Sequence, residues 1–374
     1  MEVNIYDADL NRLGVVDEID TLIWTRRYWA CGEFSMLLPV TARHLQLLQI
    51  GRLVIPQGYT EAAEILYVHI STDTNGQEQI EVQGKFLPWW IGKRVMLNQI
   101  VTTEPPETIM HRIVADNVVS PADPARAIPQ LTQTGPETTG TAIEYASEEN
   151  ANALDELEAV AGSTEIGFRV VSRPRERTHT FETYAGRDLT ARNSAGNDPC
   201  IFSRDFDNVL TQEYTKSSEN ARNMAYVAGE EREDDTRMVV EVGAENSGLN
   251  RSEVYISASD ISQSYEDDSG TEITMTDAEY EALLVQRGES DLSEHVEAEE
   301  FDSQINPGAN LIYREDFDLG DRVTVVAKEW GVTKDTRITE VQETYQKGAE
   351  RIQIVFGEPL PTLSDRLKQI KKEG

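Results

Sequence analysis

Residues 313–363 constrain the fold most strongly, because three short runs there alternate between apolar and polar residues. The alternating apolar positions are Val323, Val325 and Ala327 in the first run, Ile338 and Val341 in the second, and Ile352, Ile354 and Phe356 in the third. A period of two predicts antiparallel strands with one buried face. Gly320–Asp321 and Lys347–Gly348 predict tight turns. Three strands cannot close a sheet, so we expect them to pair with strands from earlier in the chain as part of a β-barrel.

Residues 1–100 show the same combination of strands and tight turns. One hairpin is predicted about Asn75–Gly76, and a longer one runs from residue 18 to 39. Their inward apolar positions are Ile65, either Tyr67 or Val68, Ile70, Ile80 and Val82 in one hairpin, and Phe34, Met36 and Leu38 in the other. Between them, the spacing of Leu45 and Leu48, with His44, predicts one short helix that Gly51 ends. We interpret 1–100 as a first β-barrel domain.

Residues 101–200 change to a mixed pattern. Ile109, Ile113 and Val114 recur at helical spacing behind a pair of prolines, and Leu154 and Leu157 mark a second helix that Gly162 closes. A loop rich in Pro, Thr and Gly separates these helices, and strands are predicted near 167–171 and 179–185. The segment therefore predicts an α/β domain with helices on one face of a sheet.

From residue 201 the strand pattern returns and is then interrupted. A turn at Asp207–Asn208 leads into one strand, a second strand contains Met224, and a charged break at 230–237 opens an acidic section. Thr276 and Glu279 form the capping box of a helix in that section. We place 201–229 with 310–363 in a second, split β-barrel, 230–309 in an acidic inserted α+β domain and 364–374 in a short basic helical tail. The predicted fold class is α+β, mainly β, with two related barrels, since both strand regions share one plan.

The charge of the chain limits its partners. The formal net charge is −33, and residues 201–310 hold 27 Asp and Glu against 7 Lys and Arg, a net of −20. A surface of this sign repels nucleic acid, which disfavours sequence-specific or tight DNA binding. The charge is open to two interpretations: it serves solubility alone, or it forms a negative wall that would let a duplex pass through a conduit without adhering. No segment approaches the roughly 20 apolar residues of a membrane span, and the first 20 residues do not resemble a signal peptide. We expect synthesis in a reducing cytoplasm, with Cys31 and Cys200 as buried free thiols.

Residue types that could take part in catalysis or metal binding occur without the spacing that an active site needs. Four carboxylates at Glu315, Asp316, Asp318 and Asp321 lack the order of an EF-hand, which favours a solvated turn. Asp205 and Asp207 are a weak candidate for a glycosidase pair, and the five histidines form no zinc motif. There is no G-x-S-x-G sequence and no glycine-rich phosphate loop. We predict no catalytic, cofactor-binding or metal-binding residue and no enzymatic activity.

Four tryptophans lie in the first unit, at Trp24, Trp29, Trp89 and Trp90. They are candidates for a sugar-stacking platform, but packing in a core or interface is the commoner role of such rings.

Three groups of residues resemble the baseplate hub proteins of long-tailed bacteriophages, the hub part of the tail-associated lysin and prophage tail protein family. The matching groups, in chain order, are Trp24, Arg26, Arg27, Tyr28, Gly32, Glu33, Phe34, Leu38 and Pro39; then Asn208, Val209, Tyr214, Ser218, Asn220, Ala221 and Asn223; then Phe317, Leu319, Gly320, Asp321, Val323, Trp330, Gly331, Phe356, Gly357, Pro361, Thr362 and Leu363. A helix beginning Thr276-Asp277-Ala278-Glu279-Tyr280 is similar to the inserted helix of these hubs. The order and coverage of the matches carry the resemblance.

The resemblance implies a non-enzymatic homotrimer at the tail tip or baseplate of a virion, made in the host bacterial cytoplasm. Two barrels per chain would give a ring of six, which adapts the sixfold tail tube or distal tail ring to a threefold tip and forms part of the DNA conduit. Expected partners are the distal tail protein, the tape measure protein and tail fibre or receptor-binding tip proteins. Two alternatives stay open: a carbohydrate-binding tail adhesin that uses Trp89 and Trp90, and a tail-associated cell-wall hydrolase.

Overall fold

The computed structural model describes residues 1–72, 74–136, 141–147, 150–232, 235–244, 246–266, 272–346 and 348–357. The basic tail at 364–374, Lys347 of the predicted second turn, and the Pro361, Thr362 and Leu363 of the family motif lie outside the described residues. Strands account for 45% of the chain and helices for 20%, which confirms a mainly-β protein. No described helix has both the length and the apolar character that a membrane crossing requires.

Residues 1–100 contain both predicted hairpins. The elements are β1 (Val3–Tyr6), β2 (Arg12–Val16), β3 (Thr21–Arg27), β4 (Glu33–Pro39), α1 (Ala42–Leu47), β5 (Leu53–Pro56), β6 (Ala63–Thr72), β7 (Glu78–Phe86) and a 3-10 turn at Leu87–Lys93. β3 pairs with β4, and β6 pairs with β7 around a turn in which Gly76 has φ +81°. Of the three residues whose spacing predicted the short helix, His44 and Leu48 are buried, together with Leu47, whereas Leu45 is 42% exposed.

A bulge in β6 explains why the sequence left its inward position open between Tyr67 and Val68. The pairing with β7 shifts between Ile65 and Tyr67, so that Leu66 has no partner opposite it. Ile65 and Val68 therefore face the same side although they are three residues apart.

Residues 101–200 fold as the predicted mixture of helices and strands. The elements are β8 (Val101–Glu104), α2 (Pro106–Val114), a π-helical turn (Ala115–Val119), a 3-10 turn (Pro124–Arg126), β9 (Leu131–Gln133), β10 (Ile143–Ala146), α3 (Ala153–Thr164), β11 (Gly167–Arg173) and β12 (Thr178–Tyr184). The predicted inward residues of both helices are buried. Gly162 lies in the last turn of α3, at the C-terminal end where it was predicted, and the residue that caps the helix is Glu165, whose φ of 54° is left-handed. α2 and α3 share one hydrophobic cluster with residues of the first 100.

The acidic region and its flanks complete the chain up to residue 305. The elements are β13 (Ile201–Ser203), a 3-10 turn (Arg204–Phe206), β14 (Val209–Ser217), β15 (Met224–Glu231), β16 (Arg237–Gly243), a 3-10 turn (Gly248–Asn250), β17 (Glu253–Ser257), β18 (Ser264–Glu266), β19 (Glu272–Thr274), α4 (Asp277–Glu294) and β20 (Ala298–Ile305). Both hydrogen bonds of the predicted Thr276–Glu279 capping box are present.

Two strands at the ends of the acidic region pair differently from the prediction. β15 was expected in the second barrel, but it pairs with β16 and β17 in a separate sheet, where Val227 and Val242 lie against Gly288 of α4. β20 was expected in the insertion, but it pairs with β14 on one side. Its burial alternates through Phe301, Ser303 and Ile305, with the polar residues Asp302 and Gln304 between them. Burial of apolar side chains against different neighbours decides both pairings.

The C-terminal strands are those that the alternation predicts. They are β21 (Arg322–Ala327), β22 (Val332–Gln346) and β23 (Ala349–Gly357), with a 3-10 turn at Lys328–Trp330 between the first two. β22 is long enough to pair with both of the other C-terminal strands: its first half pairs with β21 and its second half with β23. The expected pairing with earlier strands is confirmed, since β21 pairs with β13 and β23 with β20.

Most of these strands form a single sheet. Its order is β14-β20-β23-β22-β3-β4-β7-β6-β5-β1-β2, and β13 and β21 are attached through β22. Within the described residues this path does not return to its first strand. The two closed barrels therefore stay a prediction.

One four-strand arrangement occurs twice along this sheet. The second strand unit, which we define as β14, β20, β22 and β23, and the first strand unit, β3, β4, β6 and β7, have the same order in space: first, second, fourth, third. The third strand of each carries a bulge at the same place in its pairing with the fourth, at Leu66 in β6 and at Thr339 in β22. The shared plan that the sequence indicated is thus present in strand order and in irregularities alike.

Candidate functional site

The two strand units meet side by side, and we take this junction as the candidate functional site. The second half of β22 pairs antiparallel with β3, from Glu340 opposite Arg27 to Gln346 opposite Thr21. Residues more than 300 positions apart in sequence are therefore neighbours. The relative position of the two units depends on what holds this seam together.

A buried arginine links three segments at the junction. Arg26 of β3 is 3% exposed, and its guanidinium donates to Glu61 at 2.6 Å, to Asp318 at 2.6 Å and to the Tyr313 hydroxyl at 2.7 Å. Burial by itself would lower the pKa of Arg26, but Glu61 and the other nearby acidic groups raise it well above its ordinary value. Arg26 stays charged and ties the first strand unit to the segment before β21.

A second buried ion pair lies on the other side of the seam. Glu343 of β22 is 1% exposed and accepts from Arg314 at 2.8 Å and from the Tyr345 hydroxyl at 3.0 Å. The Tyr59 hydroxyl also bonds to Glu343, and the Arg314 guanidinium lies 3.9 Å from the Tyr59 ring centre. Burial and the carboxylate of Glu343 raise the pKa of both tyrosines, so their hydroxyls remain protonated donors. The buried carboxylate therefore accepts from one guanidinium and two hydroxyls.

The turn at Gly320 also stabilises the junction. Gly320 has φ +91°, as the prediction of a turn tolerant of positive φ requires, and a Cβ there would lie 2.3 Å from the fully buried ring of Tyr28. A Cβ at Gly167 would lie 2.2 Å from the same ring. The Tyr28 ring therefore occupies a slot between two glycines, one in the mixed segment and one in the C-terminal segment. Only glycine leaves room for the ring on both sides.

Asp318 and Asp321 of this turn are ion-paired, which corrects the prediction of a solvated turn for these two carboxylates, whereas Glu315 and Asp316 are exposed to solvent as predicted. Asp321 is 3% exposed; it accepts from the backbone N–H of Arg187 at 2.7 Å, from the Arg187 guanidinium at 2.7 Å and from the Asp318 N–H at 2.8 Å. Burial would raise the pKa of Asp318, but Arg26 lowers it below its usual value. Arginines from distant segments neutralise these carboxylates, and among the described residues no cluster of His, Cys, Asp and Glu could hold a metal ion.

The tryptophans pack in the core and do not form an exposed platform. Trp24 is fully buried against Phe34 and Phe86, and Trp90 is 5% exposed with its indole N–H donating to Glu64 at 3.0 Å. Trp89 is half-buried beneath the Lys85 ammonium. Core packing, the commoner role, is what the structure shows for Trp24 and Trp90.

Sequence reasoning missed the buried arginine, although a signal was present. Leu22, Trp24 and Arg26 are alternate residues of one strand, and all three are buried. A charged residue at a core-facing position indicates a buried ion pair, because an unpaired charge there is too costly. Its partners cannot be read from spacing, since Glu61 and Asp318 lie far away in sequence.

The two cysteines are free and buried, as predicted. Burial raises the pKa of the Cys31 thiol to about 12 and that of the Cys200 thiol to about 11. The thiolate is the reactive form, so we expect the native protein at pH 8 to react with an aromatic disulfide reagent at least about a hundredfold more slowly than the unfolded chain. The measurement is absorbance with and without guanidinium, which should release two thiols per chain. Rapid reaction of either thiol in the native protein would contradict its burial.

The whole fold is similar to that of phage-type tail proteins. It matches the tail protein from Neisseria meningitidis MC58 with a TM-score of 0.57 and 11% identity, over 95% of this chain and 96% of that one. It matches the 43 kDa tail protein of prophage MuSo2 from Shewanella oneidensis with a TM-score of 0.57 and 12% identity, over 96% and 99%. Prophage tail protein gp18 from Listeria monocytogenes EGD-e aligns with a TM-score of 0.52 and 9% identity, over 100% and 99%.

The sequence itself carries the family assignment. No curated protein sequence matches the chain significantly. The family model described as Siphovirus ReqiPepy6 Gp37-like protein, in contrast, matches residues 2–358, nearly the whole chain, including both strand units and their junction. The chain therefore belongs to the Siphovirus ReqiPepy6 Gp37-like protein family of phage tail proteins.

Proposed function

We propose that this phage tail protein is the hub of the tail tip or baseplate, a homotrimer that adapts the sixfold tail tube or distal tail ring to a threefold tip. The observation that carries the proposal is the repeated strand unit, present twice in one sheet with the same strand order. Three chains contribute six such units, so a threefold assembly presents a near-sixfold face. The buried junction between the units keeps their spacing constant within each chain.

The strand pairing supports a division of the chain into domains. We assign 1–100 to a first barrel and 201–217 with 298–357 to a second, each completed by neighbouring chains or loops. The α/β segment 101–200 and the acidic segment 218–297 lie outside the repeated strands and project from the ring. In the acidic segment, α4 covers the sheet of β15, β16 and β17.

The charge supports a role in a DNA conduit without specific binding. A formal net charge of −33 repels the phosphate backbone, so a duplex passes without adhering. The partners in this role are the distal tail protein, the tape measure protein and tail fibre or receptor-binding tip proteins. The role is structural and requires neither a catalytic residue nor a cofactor.

We expect the purified chain to assemble into trimers. Native mass spectrometry and analytical ultracentrifugation should give about three times the chain mass of 42.0 kDa at micromolar concentration. Negative-stain images should show a ring with a central hole and threefold symmetry. A chain that remains monomeric as its concentration is raised a hundredfold, or that forms closed dimers, would contradict the hub role.

A further inference from the structure

We propose that β6 of one copy pairs antiparallel with β14 of the next copy, in the register that joins β22 to β3 within the chain. The inference rests on the proposed trimer and names the contact that would build it. Within one chain, the third strand of the second strand unit pairs with the first strand of the first strand unit. The same two kinds of strand have free edges on the far sides of the two units: β6 is the third strand of one unit and β14 is the first strand of the other.

Both edges are open in the described part of the chain. β14 pairs with β20 and ends the sheet, leaving nine residues with a free backbone edge. β6 pairs with β5 only at Ala63 and Glu64, so the stretch from Leu66 to Thr72 has β7 on one side and no strand on the other. Free strand edges of this length are templates for pairing with another chain.

The two bulges and two aromatic contacts align the units residue by residue. Leu66 corresponds to Thr339, and the pairing with the fourth strand then makes Val68 equivalent to Val341. Trp24 packs on Phe34 with ring centres 5.8 Å apart, and Tyr214 packs on Phe301 at 4.7 Å. Pairing through the second strands makes these two contacts equivalent. The agreement of bulges and rings shows that the alignment is not shifted.

Burial differs between equivalent residues according to whether the partner strand is present. At the junction within the chain, Val341 is fully buried and Glu343 is 1% exposed. Their equivalents on the free edge are Val68, which is partly exposed, and Ile70, which is 51% exposed. Ile70 occupies a position that is buried in the other unit. A partner strand that covers it would account for an apolar residue there.

The alignment dictates the register of the contact between copies. Glu343 lies opposite Trp24 in the chain, so Ile70 should lie opposite Tyr214 of the next copy. By the same rule Val68 faces Lys216, and His69 faces Thr215. Ile70 and Tyr214 then form an aliphatic–aromatic pair across the strands, a contact that stabilises antiparallel sheets. The interface is heterologous, because one copy offers β6 and the other β14, and three repeats of it close a ring.

A cysteine pair tests the register directly. In the full chain carrying His69→Cys and Thr215→Cys, mild oxidation should join neighbouring copies and give covalent dimers and trimers on a gel without reductant. Both replaced residues are exposed, so folding is unaffected, and the native cysteines are buried. The matched control carries Tyr67→Cys with Thr215→Cys, which is displaced by two residues, about 7 Å along the strand, beyond the reach of a disulfide. It should not cross-link.

A second variant tests the contact without oxidation. Ile70→Asp should raise the concentration at which trimers dissociate at least about tenfold, while Ile50→Asp, at an apolar residue that is 69% exposed elsewhere, should leave it unchanged. Trimers that form without the His69–Thr215 cross-link, or with equal cross-linking of the displaced pair, would overturn the register and leave the hub role intact. A chain that is monomeric by native mass would overturn both.

Discussion

Replacement of Arg26 by methionine is expected to lower the free energy of unfolding by about 3–5 kcal/mol, since the substitution removes one partner of a buried charge cluster. Glu61 and Asp318 would remain close together with no cation between them. Methionine fills much of the volume, so the loss reports the missing charge and not a large cavity. Urea unfolding followed by tryptophan fluorescence measures the effect, because Trp24 lies in the same strand and is fully buried.

The matched control for this prediction is an exposed arginine that is also ion-paired. Arg237 bonds to Glu231 at 2.6 Å with both side chains more than a third exposed, so Arg237→Met should lower the free energy of unfolding far less than Arg26→Met does. If the two variants lost similar stability, the buried cluster would not hold the junction.

Replacement of Gly320 by alanine is the second large expected effect, a loss of about 2–5 kcal/mol. The left-handed backbone at φ +91° costs an L-residue about 1–2 kcal/mol, and the new Cβ would press on the Tyr28 ring at a cost of about 1–3 kcal/mol. Tyr28 cannot move aside easily, since its ring is fully buried and Gly167 also lies against it. Thermal and urea unfolding of the purified variant measure the loss.

Two further glycines separate the causes of this loss. Gly331 also has positive φ, but a Cβ there meets no atom within 4 Å, so Gly331→Ala isolates the backbone cost of about 1–2 kcal/mol. Gly167 has no positive φ, and a Cβ there would press on the same ring. Gly167→Ala therefore isolates the steric cost of about 1–3 kcal/mol. A Gly320→Ala variant no less stable than Gly331→Ala would show that the Tyr28 slot does not matter.

Local patterns predicted most of the individual elements. The alternation in 323–327 and 352–356, the hairpin about Gly76 and the capping box at Thr276 all depend on residues that are close in sequence. The ambiguity between Tyr67 and Val68 in the hairpin about Gly76 had a physical cause. A bulge at Leu66 moves the inward position by one residue, and no pattern of side chains in the sequence predicts that bulge.

Which strands pair with each other could not be predicted from local sequence patterns. β15 and β20 have similar alternation, and their exchange between sheets was decided by burial against α4 in one case and against β14 and β23 in the other. The junction residues show the same limit. The alternation of buried residues in β3 indicates that Arg26 faces the core. Nothing in the sequence distinguishes Glu61, Asp318 and Glu343 from the other acidic residues of the chain.

Period-two alternation, turn glycines, a strongly acidic composition and the ordered family motifs of the sequence alone determined a mainly-β phage tail protein. These properties need only neighbouring residues, because side-chain direction in a strand and backbone freedom in a turn are local. The tertiary structure alone decided that two strand units share one sheet, that Arg26 and Glu343 are buried at their seam, and that β6 and β14 remain as free edges. Backbone hydrogen bonds between strands do not depend on residue type. The partner of each strand therefore depends on which distant side chains are buried with it.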